Sequence, residues 1–184
     1  DLSVSLPVMT SPTQFDSVNR FAADLNDRFN NSPTGILSFA GIHPECDDIE
    51  AKMNKKKKKG FKGIKIHPDY QNTFITDDKY DLIFECAEKL GLIVVTHAGV
   101  DGAYRNQPIK CTPQMSKEII KRHPDLKLVL AHFGGNEMFD DVEDILCGEN
   151  VYFDTAFILR YVGKEKFIKI LEKDEIIGIK DALH

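Results

Sequence analysis

Four histidines of this 184-residue sequence follow short apolar segments that are rich in β-branched residues. They are His43, His67, His97 and His132, and Asp154 ends a fifth such segment. Neutral imidazole and carboxylate groups are common ligands of zinc and similar divalent metals. Histidine is also a frequent general acid or base near neutral pH. The pattern therefore predicts a metal-assisted or acid–base site, provided that the fold brings these chain positions together.

The four histidines are not equally strong candidates for a functional role. His97 and His132 each follow a nearly unbroken apolar run and lead within two residues into glycine, where a missing side chain leaves room for a ligand. We expect these two to be functional. His43 and His67 each precede proline, and a hydrogen-bonded structural role is the stronger interpretation for both. His67 is kept as a candidate substrate-binding residue.

Lys65 lies two residues before His67, so the alternation of a strand directs both side chains to the same side. Three interpretations remain open, in order of preference: an outward lysine that covers a helix, a charge inside a barrel that contacts substrate, and a carbamylated bridge between metals. Periodicity alone does not assign the inward face. A desolvated lysine is also able to form a Schiff base, which makes an aldolase the alternative from another enzyme class.

Alternating β-rich and amphipathic segments must position these residues, and this order is typical of βαβ units on a parallel sheet. The predicted strands are Ser3–Val8, Ile36–Gly41, Gly63–His67, Leu92–His97, Lys127–His132 and Val151–Asp154. The predicted helices are Gln14–Phe29, Asp47–Lys58, Asp78–Leu90, Thr112–Arg122, Asn136–Leu146 and Gly163–Glu172. In such a fold the carboxyl ends of the strands share one face, where the loops form the active site. We therefore expect an α/β fold of the (β/α)8 TIM-barrel type, in one domain over residues 1–184, although the units fall short of eight.

Composition favours a small-molecule substrate. Lys and Arg total 24 against 29 Asp and Glu, a net charge of -5, so no overall positive field attracts nucleic acid or an acidic membrane. The Lys55–Lys59 run is interpreted as a solvated helix face. Four scattered cysteines show no zinc or disulfide spacing, which favours a reducing cytoplasm, and no apolar run reaches the length of a membrane span. The edges of an incomplete barrel leave a homo-oligomer as an open expectation.

Three segments, taken in order, resemble the fourth, fifth and sixth strands of the amidohydrolase-related (type 2) family, part of the amidohydrolase superfamily. They are Gly60–Pro68, Val94–Gly99 and Pro124–Gly135. Gly41–Pro44 is similar to the end of the third strand, and Asn150–Thr155 to the seventh. The family includes aminocarboxymuconate semialdehyde decarboxylase. The resemblance implies a metal-dependent enzyme that hydrolyses an amide, ester or lactone of a small molecule with metal-activated water, or catalyses a related decarboxylation.

The same resemblance implies roles for individual residues. His97 would be a ligand of zinc, or of manganese, and His132 the catalytic residue that positions or deprotonates the attacking water. Arg160, just beyond the seventh strand, would pair with a substrate carboxylate, and a surface role is an equal alternative. Asp181 would be a metal ligand on a degenerate eighth strand, although its segment resembles a C-terminal helix equally well. The family's first-strand His-x-His pair is missing, so we expect the first strand and part of the C-terminal region to lie outside this chain; a barrel remnant without catalysis is the remaining alternative.

Overall fold

The computed structural model describes residues 2–29, 35–158 and 160–173, and strands alternate with helices along this part of the chain. The strands within it are β1 Leu2–Ser5, β2 Gly35–Ser38, β3 Ala40–Gly41, β4 Gly63–Ile66, β5 Ile93–Thr96, β6 Leu128–Leu130 and β7 Tyr152–Phe153. The helices are α1 Phe15–Phe29, α2 Ile49–Lys58, α3 Asp78–Leu90, α4 Pro113–Arg122, α5 Phe139–Ile145 and α6 Lys164–Lys173. All strand pairs are parallel, in the order β1-β2 and β3-β4-β5-β6-β7. The α/β prediction is confirmed.

Helix boundaries follow the capping signals in the sequence. The Asp77 side chain accepts a hydrogen bond from the Lys79 amide at 3.0 Å and caps α3, which ends at Gly91 with φ of 58°. The Thr112 hydroxyl accepts a hydrogen bond from the Met115 amide at 3.2 Å at the start of α4. These caps satisfy backbone groups that have no partner inside the helix, which fixes where each helix begins or ends.

The first predicted strand, Ser3–Val8, is shorter in the structure, where β1 ends at Ser5, and the second is divided in two. Residues 36–41 were predicted as one strand, but they belong to β2 and β3, which lie in separate sheets. The hydrogen bonds pass from one neighbour to the other at Phe39, whose amide donates to the Ser5 carbonyl at 2.9 Å, while Ala40 already pairs with Ile64. The prediction of a continuous strand was wrong because periodicity does not show where pairing partners change.

The two faces of the sheet belong to different hydrophobic cores. The outer face packs against the helices and includes Ile64, Val94 and Leu128. The inner face forms a smaller core with Phe39 and Val95 among its members. His67 and His97 continue the alternation of Lys65 and Val95, so both follow the inner face at the carboxyl ends of β4 and β5.

Lys65 belongs to the inner face, where it pairs with Val95 in the register of β4 and β5. Gly63 lies on the same face, and a Cβ there would be 2.4 Å from the Phe39 ring. The preferred interpretation of Lys65 as an outward lysine that covers a helix is therefore wrong, and only 6% of the residue is accessible. The shared direction of Lys65 and His67 follows the predicted alternation.

The lysine run of α2 is solvated except at one residue. Lys56 is buried, and its ammonium lies 4.4 Å from the centre of the Phe15 ring. Burial, followed by the charges of Lys59 and Lys55, lowers the pKa of Lys56 to about 8. The prediction of a fully solvated face is wrong for this position. Among the helices of the described residues, none has the length and apolarity needed to cross a membrane.

Candidate active site

Three imidazoles meet at the carboxyl ends of β4, β5 and β6. The rings of His97 and His132 have centroids 4.9 Å apart at an interplanar angle of 65°. The ring of His67 stacks on His97 at 4.3 Å with an interplanar angle of 8°. The proximity predicted for His97 and His132 is confirmed, because parallel neighbouring strands deliver both residues to one face. Their roles stay predictions.

His97 presents a nitrogen without a partner. The residue is buried, and its Nε2 atom forms no hydrogen bond within the described part of the chain. Burial, followed by the nearby His132 and Lys65, lowers the pKa of His97 to about 4, although a backbone hydrogen bond with Gly99 opposes this change. The imidazole is therefore neutral at pH 7, which is the form that binds metals.

Two aspartates from the loops after β4 and β5 complete this part of the site. Asp69 is buried, and its Oδ2 atom has no hydrogen-bond partner among the described residues and lies 3.9 Å from His97 Nε2. Asp101 Oδ2 lies 3.5 Å from His67 Nε2. Burial raises the pKa of Asp69 and the charge of Asp101 adds to this effect, although the charge of Lys110 opposes it. A buried site that leaves such groups unpaired is costly without a compensating ligand.

These residues fit a divalent metal ion. Ligand atoms of His67, His97 and Asp101 all lie within 4.8 Å of one another. The unpaired His97 Nε2 and Asp69 Oδ2 atoms face the same region, and mixed imidazole and carboxylate donors suit zinc or manganese. The sequence reasoning missed both aspartates. Their signal was positional, since they follow the strand-end histidines by two and four residues.

His132 is held in a strained backbone conformation. Its φ is 56° and that of Phe133 is 59°, in the left-handed region that non-glycine residues rarely adopt. Asp154 fixes this turn: its Oδ1 atom accepts a hydrogen bond from the His132 amide at 2.9 Å, and its carbonyl accepts one from the Phe133 amide at 2.8 Å. His132 Nδ1 lies 3.0 Å from the Ala156 carbonyl, so Nδ1 carries the proton and Nε2 is left as an acceptor.

Gln71 connects the loops around the site through its buried side-chain amide. Its Nε2 atom donates to the carbonyls of Met9 and Ile42 at 3.0 and 2.6 Å. Its Oε1 atom accepts from the His67 amide at 3.2 Å and from the Tyr80 hydroxyl at 2.6 Å. Sequence reasoning did not identify this residue, because a lone glutamine in a loop carries no periodic or motif signal.

A close contact also joins the loops that follow β5 and β6. The Asn136 amide donates to the Ala98 carbonyl and the Val100 amide donates to the Asn136 carbonyl, both at 2.9 Å. Gly99 lies inside this contact with φ of 83°, and a Cβ there would be 2.1 Å from the Asn136 amide nitrogen. The glycine after His97 is therefore needed for the approach of two loops, in addition to any room it gives a ligand.

The other predicted site residues occupy different surroundings. Lys65 is buried near the imidazoles, and burial lowers its pKa to about 8, although Asp154 opposes this change. Arg160 is exposed and lines a surface pocket of about 340 Å³ with Phe157 and Tyr161, outside the buried cluster. Asp181 lies outside the described residues.

His43 has the surroundings of a structural residue. It is buried, and its Nδ1 atom accepts a hydrogen bond from the Glu45 amide at 3.1 Å. His67 accepts in the same way from the Tyr70 amide at 3.4 Å, but its ring also stacks on His97. The proline after each histidine therefore accompanies a local turn in both cases, and only His67 joins the cluster.

Comparison with known proteins identifies the family. The profile described as Amidohydrolase matches residues 4–177 of the chain. The chain belongs to the amidohydrolase family. This assignment agrees with the fold, with the strand-end histidines and with the resemblance read from the sequence. No curated protein matches the sequence significantly.

Solved amidohydrolase-type structures share the fold. An amidohydrolase-type protein from Staphylococcus aureus is 20% identical, with a TM-score of 0.60 over 88% of this chain and 65% of that one. A 5-carboxyvanillate decarboxylase from Novosphingobium aromaticivorans with bound manganese is 14% identical, with a TM-score of 0.63 over 88% and 57%. A 4-oxalomesaconate hydratase from Rhodopseudomonas palustris is 19% identical, with a TM-score of 0.55 over 85% and 55%. The chain thus spans less than two thirds of these proteins and covers part of a TIM-type barrel, as predicted.

Proposed function

We propose that this chain carries part of the active site of a metal-dependent hydrolase that acts on an amide, ester or lactone of a small molecule. The observation that supports this proposal is the pair of buried, unpartnered atoms, His97 Nε2 and Asp69 Oδ2, which face each other at 3.9 Å. Buried polar atoms are rarely left unpaired in folded proteins, so the pair points to a ligand of positive charge.

His97 would hold the metal, with carboxylate help from the adjoining loops. A divalent ion, zinc or alternatively manganese, would supply Lewis-acid polarisation of a substrate oxygen and of water. The neutral state of His97 at pH 7 leaves its Nε2 lone pair available, and its burial keeps competing water away. The neighbouring imidazole of His67 restricts the ring to one orientation by stacking on it.

His132 is the residue that moves a proton. Its Nδ1 proton is held by the Ala156 carbonyl at 3.0 Å, so Nε2 is the atom that accepts a proton from water and later donates it to the leaving group. Because the His132 and His97 rings are 4.9 Å apart, an acceptor at this nitrogen lies beside the proposed metal position. The hydrogen bond from the His132 amide to Asp154 keeps the ring in this place.

Decarboxylation is the second candidate, and Lys65 is the observation that favours it. Lys65 is a buried residue for which the described residues show no side-chain hydrogen bond, although Asp154 exerts a favourable electrostatic effect on it. Such a charge on the inner face suits a substrate carboxylate, and the 5-carboxyvanillate decarboxylase of similar fold acts on one. Arg160, in the exposed pocket near His132, would contact a more distant part of the substrate.

Metal analysis and activity measurements on the full-length protein test the proposal. We expect a bound divalent ion in the purified protein and activation by zinc or manganese of turnover on a panel of amides, lactones and carboxylic acids. His132→Asn should keep the metal but lose at least about 100-fold in turnover, the usual contribution of a general acid–base group. His123→Gln is the matched control, since His123 pairs with Asp81 and Glu88 away from this cluster.

Two outcomes would contradict the hydrolase proposal. A protein that binds no divalent ion and gains no activity from added metal would favour a barrel remnant without catalysis. Trapping of Lys65 by borohydride with carbonyl compounds would favour a Schiff-base aldolase instead. We rank that alternative lower because it gives the unpaired atoms of His97 and Asp69 no role.

A further inference from the structure

The loops after β4 and β5 bring two carboxylates to the buried face of His97. Asp69 is 3% exposed and His97 is 4% exposed, so neither unpartnered atom is able to use bulk water as a hydrogen-bond partner. The separation of 3.9 Å between them is too long for a hydrogen bond but short enough for one cation to contact both atoms at about 2.1 Å. A cation between the two atoms therefore resolves both unpaired groups at once.

Asp101 lies beside this pair and adds a second carboxylate. Asp101 forms a cluster with His67 and His97 in which one possible ligand atom of each residue lies within 4.8 Å of the others. Its Oδ1 atom is already used, since it accepts a hydrogen bond from the Ala103 amide at 2.7 Å, which fixes the rotamer. The charge of Asp101 acts on Asp69 in the opposite direction to the charge of Lys110, which is the larger of the two influences. Two neighbouring carboxylates in a buried site repel each other, and a divalent cation removes that repulsion.

His67 and His97 differ in which ring nitrogen has no hydrogen-bond partner. Its Nδ1 atom accepts a hydrogen bond from the Tyr70 amide at 3.4 Å, so the proton of the neutral ring is on Nε2. That Nε2–H group faces Asp101 Oδ2 at 3.5 Å. A ring nitrogen that carries a proton does not bind a metal, and its separation of 3.5 Å from Asp101 suits an outer residue that orients a carboxylate ligand.

We propose that Asp69 and Asp101 bind the divalent metal together with His97, and that His67 is a positioning residue which orients Asp101. This inference rests on the proposed metal-dependent function and names the loop carboxylates that would serve it. It differs from the resemblance, which implied ligands from the first and eighth strands and did not include either aspartate. The loops after β4 and β5 would then supply three ligands from the described residues alone.

Metal binding itself, without turnover, tests the assignment. The metal-free full-length protein is titrated with Co²⁺ by calorimetry and by visible absorption, which reports the number and type of ligands. We expect Asp69→Asn and Asp101→Asn each to weaken Co²⁺ binding by at least about 100-fold, and His67→Gln by about tenfold, the scale for an outer residue. The ligand-field bands should change in both aspartate variants and keep their positions in His67→Gln.

The matched control is Asp125→Asn, the same change at an exposed residue between α4 and β6. It should bind Co²⁺ as the wild type does. Thermal melts provide a second measurement: Co²⁺ should raise the melting temperature of the wild type and of Asp125→Asn, and this rise should be absent in both site variants.

The outcomes separate this assignment from the proposed function. If the wild type binds Co²⁺ and both aspartate variants bind it equally well with unchanged spectra, the carboxylates are not ligands, while a metal-dependent function survives. If the wild type binds no Co²⁺, Zn²⁺ or Mn²⁺, both proposals are wrong. If His67→Gln loses as much affinity as the aspartate variants and shifts the ligand-field bands, His67 is itself a ligand and its positioning role is wrong.

Discussion

Gln71 provides the sharpest test of how the active-site end of the sheet is held together. The side chain is 4% exposed and makes four hydrogen bonds, to Met9, Ile42, His67 and Tyr80. Gln71→Leu keeps a similar volume but removes all four partners. Two buried carbonyls, one buried amide and one buried hydroxyl would then lack hydrogen bonds.

The expected decrease in the free energy of unfolding of Gln71→Leu follows from the number of those groups. Each buried polar group left without a partner costs about 1 to 3 kcal/mol, and partial relaxation brings four of them to about 5 kcal/mol. Because single domains have free energies of unfolding of about 5 to 15 kcal/mol, the variant should be severely destabilised. Tyr80→Phe removes only one of the hydrogen bonds and leaves Gln71 Oε1 bonded to the His67 amide, so its cost should be about 1 kcal/mol.

Urea denaturation followed by far-ultraviolet circular dichroism measures these differences. Gln114→Leu is the matched control, because Gln114 is exposed on α4 and the same change there should alter the free energy of unfolding by less than about 0.5 kcal/mol. The double variant adds a second criterion: in the Gln71→Leu background, Tyr80→Phe should cost nothing or stabilise, since its hydroxyl has already lost its partner. A cost below about 1 kcal/mol for Gln71→Leu, or the same cost of Tyr80→Phe in both backgrounds, would refute the reasoning.

Two further substitutions test backbone strain and buried charge. Gly99→Ala should cost clearly more than Gly60→Ala in chemical denaturation, because both glycines have φ near 85° but only Gly99 meets the Asn136 amide at 2.1 Å; equal costs would exclude the loop contact as the reason. Lys56→Met should stabilise the protein by about 1 kcal/mol at pH 7, since burial disfavours the charged lysine by more than its contact with Phe15 returns, while solvent screens part of this effect. The gain should be full below pH 8 and decline as the pH rises from about 8 towards 10.5, where the folded lysine loses its proton before the unfolded one; a gain that does not change with pH would contradict the assignment.

The order of elements could be predicted because each boundary has a local cause. Thr112 and Gly91 cap their helices through hydrogen bonds and backbone angles that depend on residue type alone. The buried strands β5 and β6 are nearly continuous apolar runs, as expected when both faces are covered. The split at Phe39 escaped prediction because it depends on which neighbour each residue pairs with, and pairing is a property of the whole sheet.

The sequence predicted only those site residues whose positions are determined by the ends of strands. His97 and His132 terminate strands, and parallel pairing brings strand ends together. Lys65 shows the limit: alternation states that it shares a side with His67 but not which side faces the helices. Asp69 and Asp101 lie in loops whose side-chain directions have no period, so only the folded structure places them against the imidazoles.

The proposed metal binding and the proposed proton transfer depend on different pairs of strands. The loops after β4 and β5 hold the proposed metal ligands, whereas His132 is positioned from β7 through the Asp154 carboxylate and the Ala156 carbonyl. None of the hydrogen bonds that fix His132 involves Asp69 or Asp101, so metal affinity and proton transfer should respond to different substitutions. Besides the ring contact of His97 with His132, the contact of Gly99 with Asn136 connects the two halves, because it joins the loop that carries Asp101 to the loop that follows His132. A change at this contact should therefore disturb both tasks together, which a change at either half alone should not.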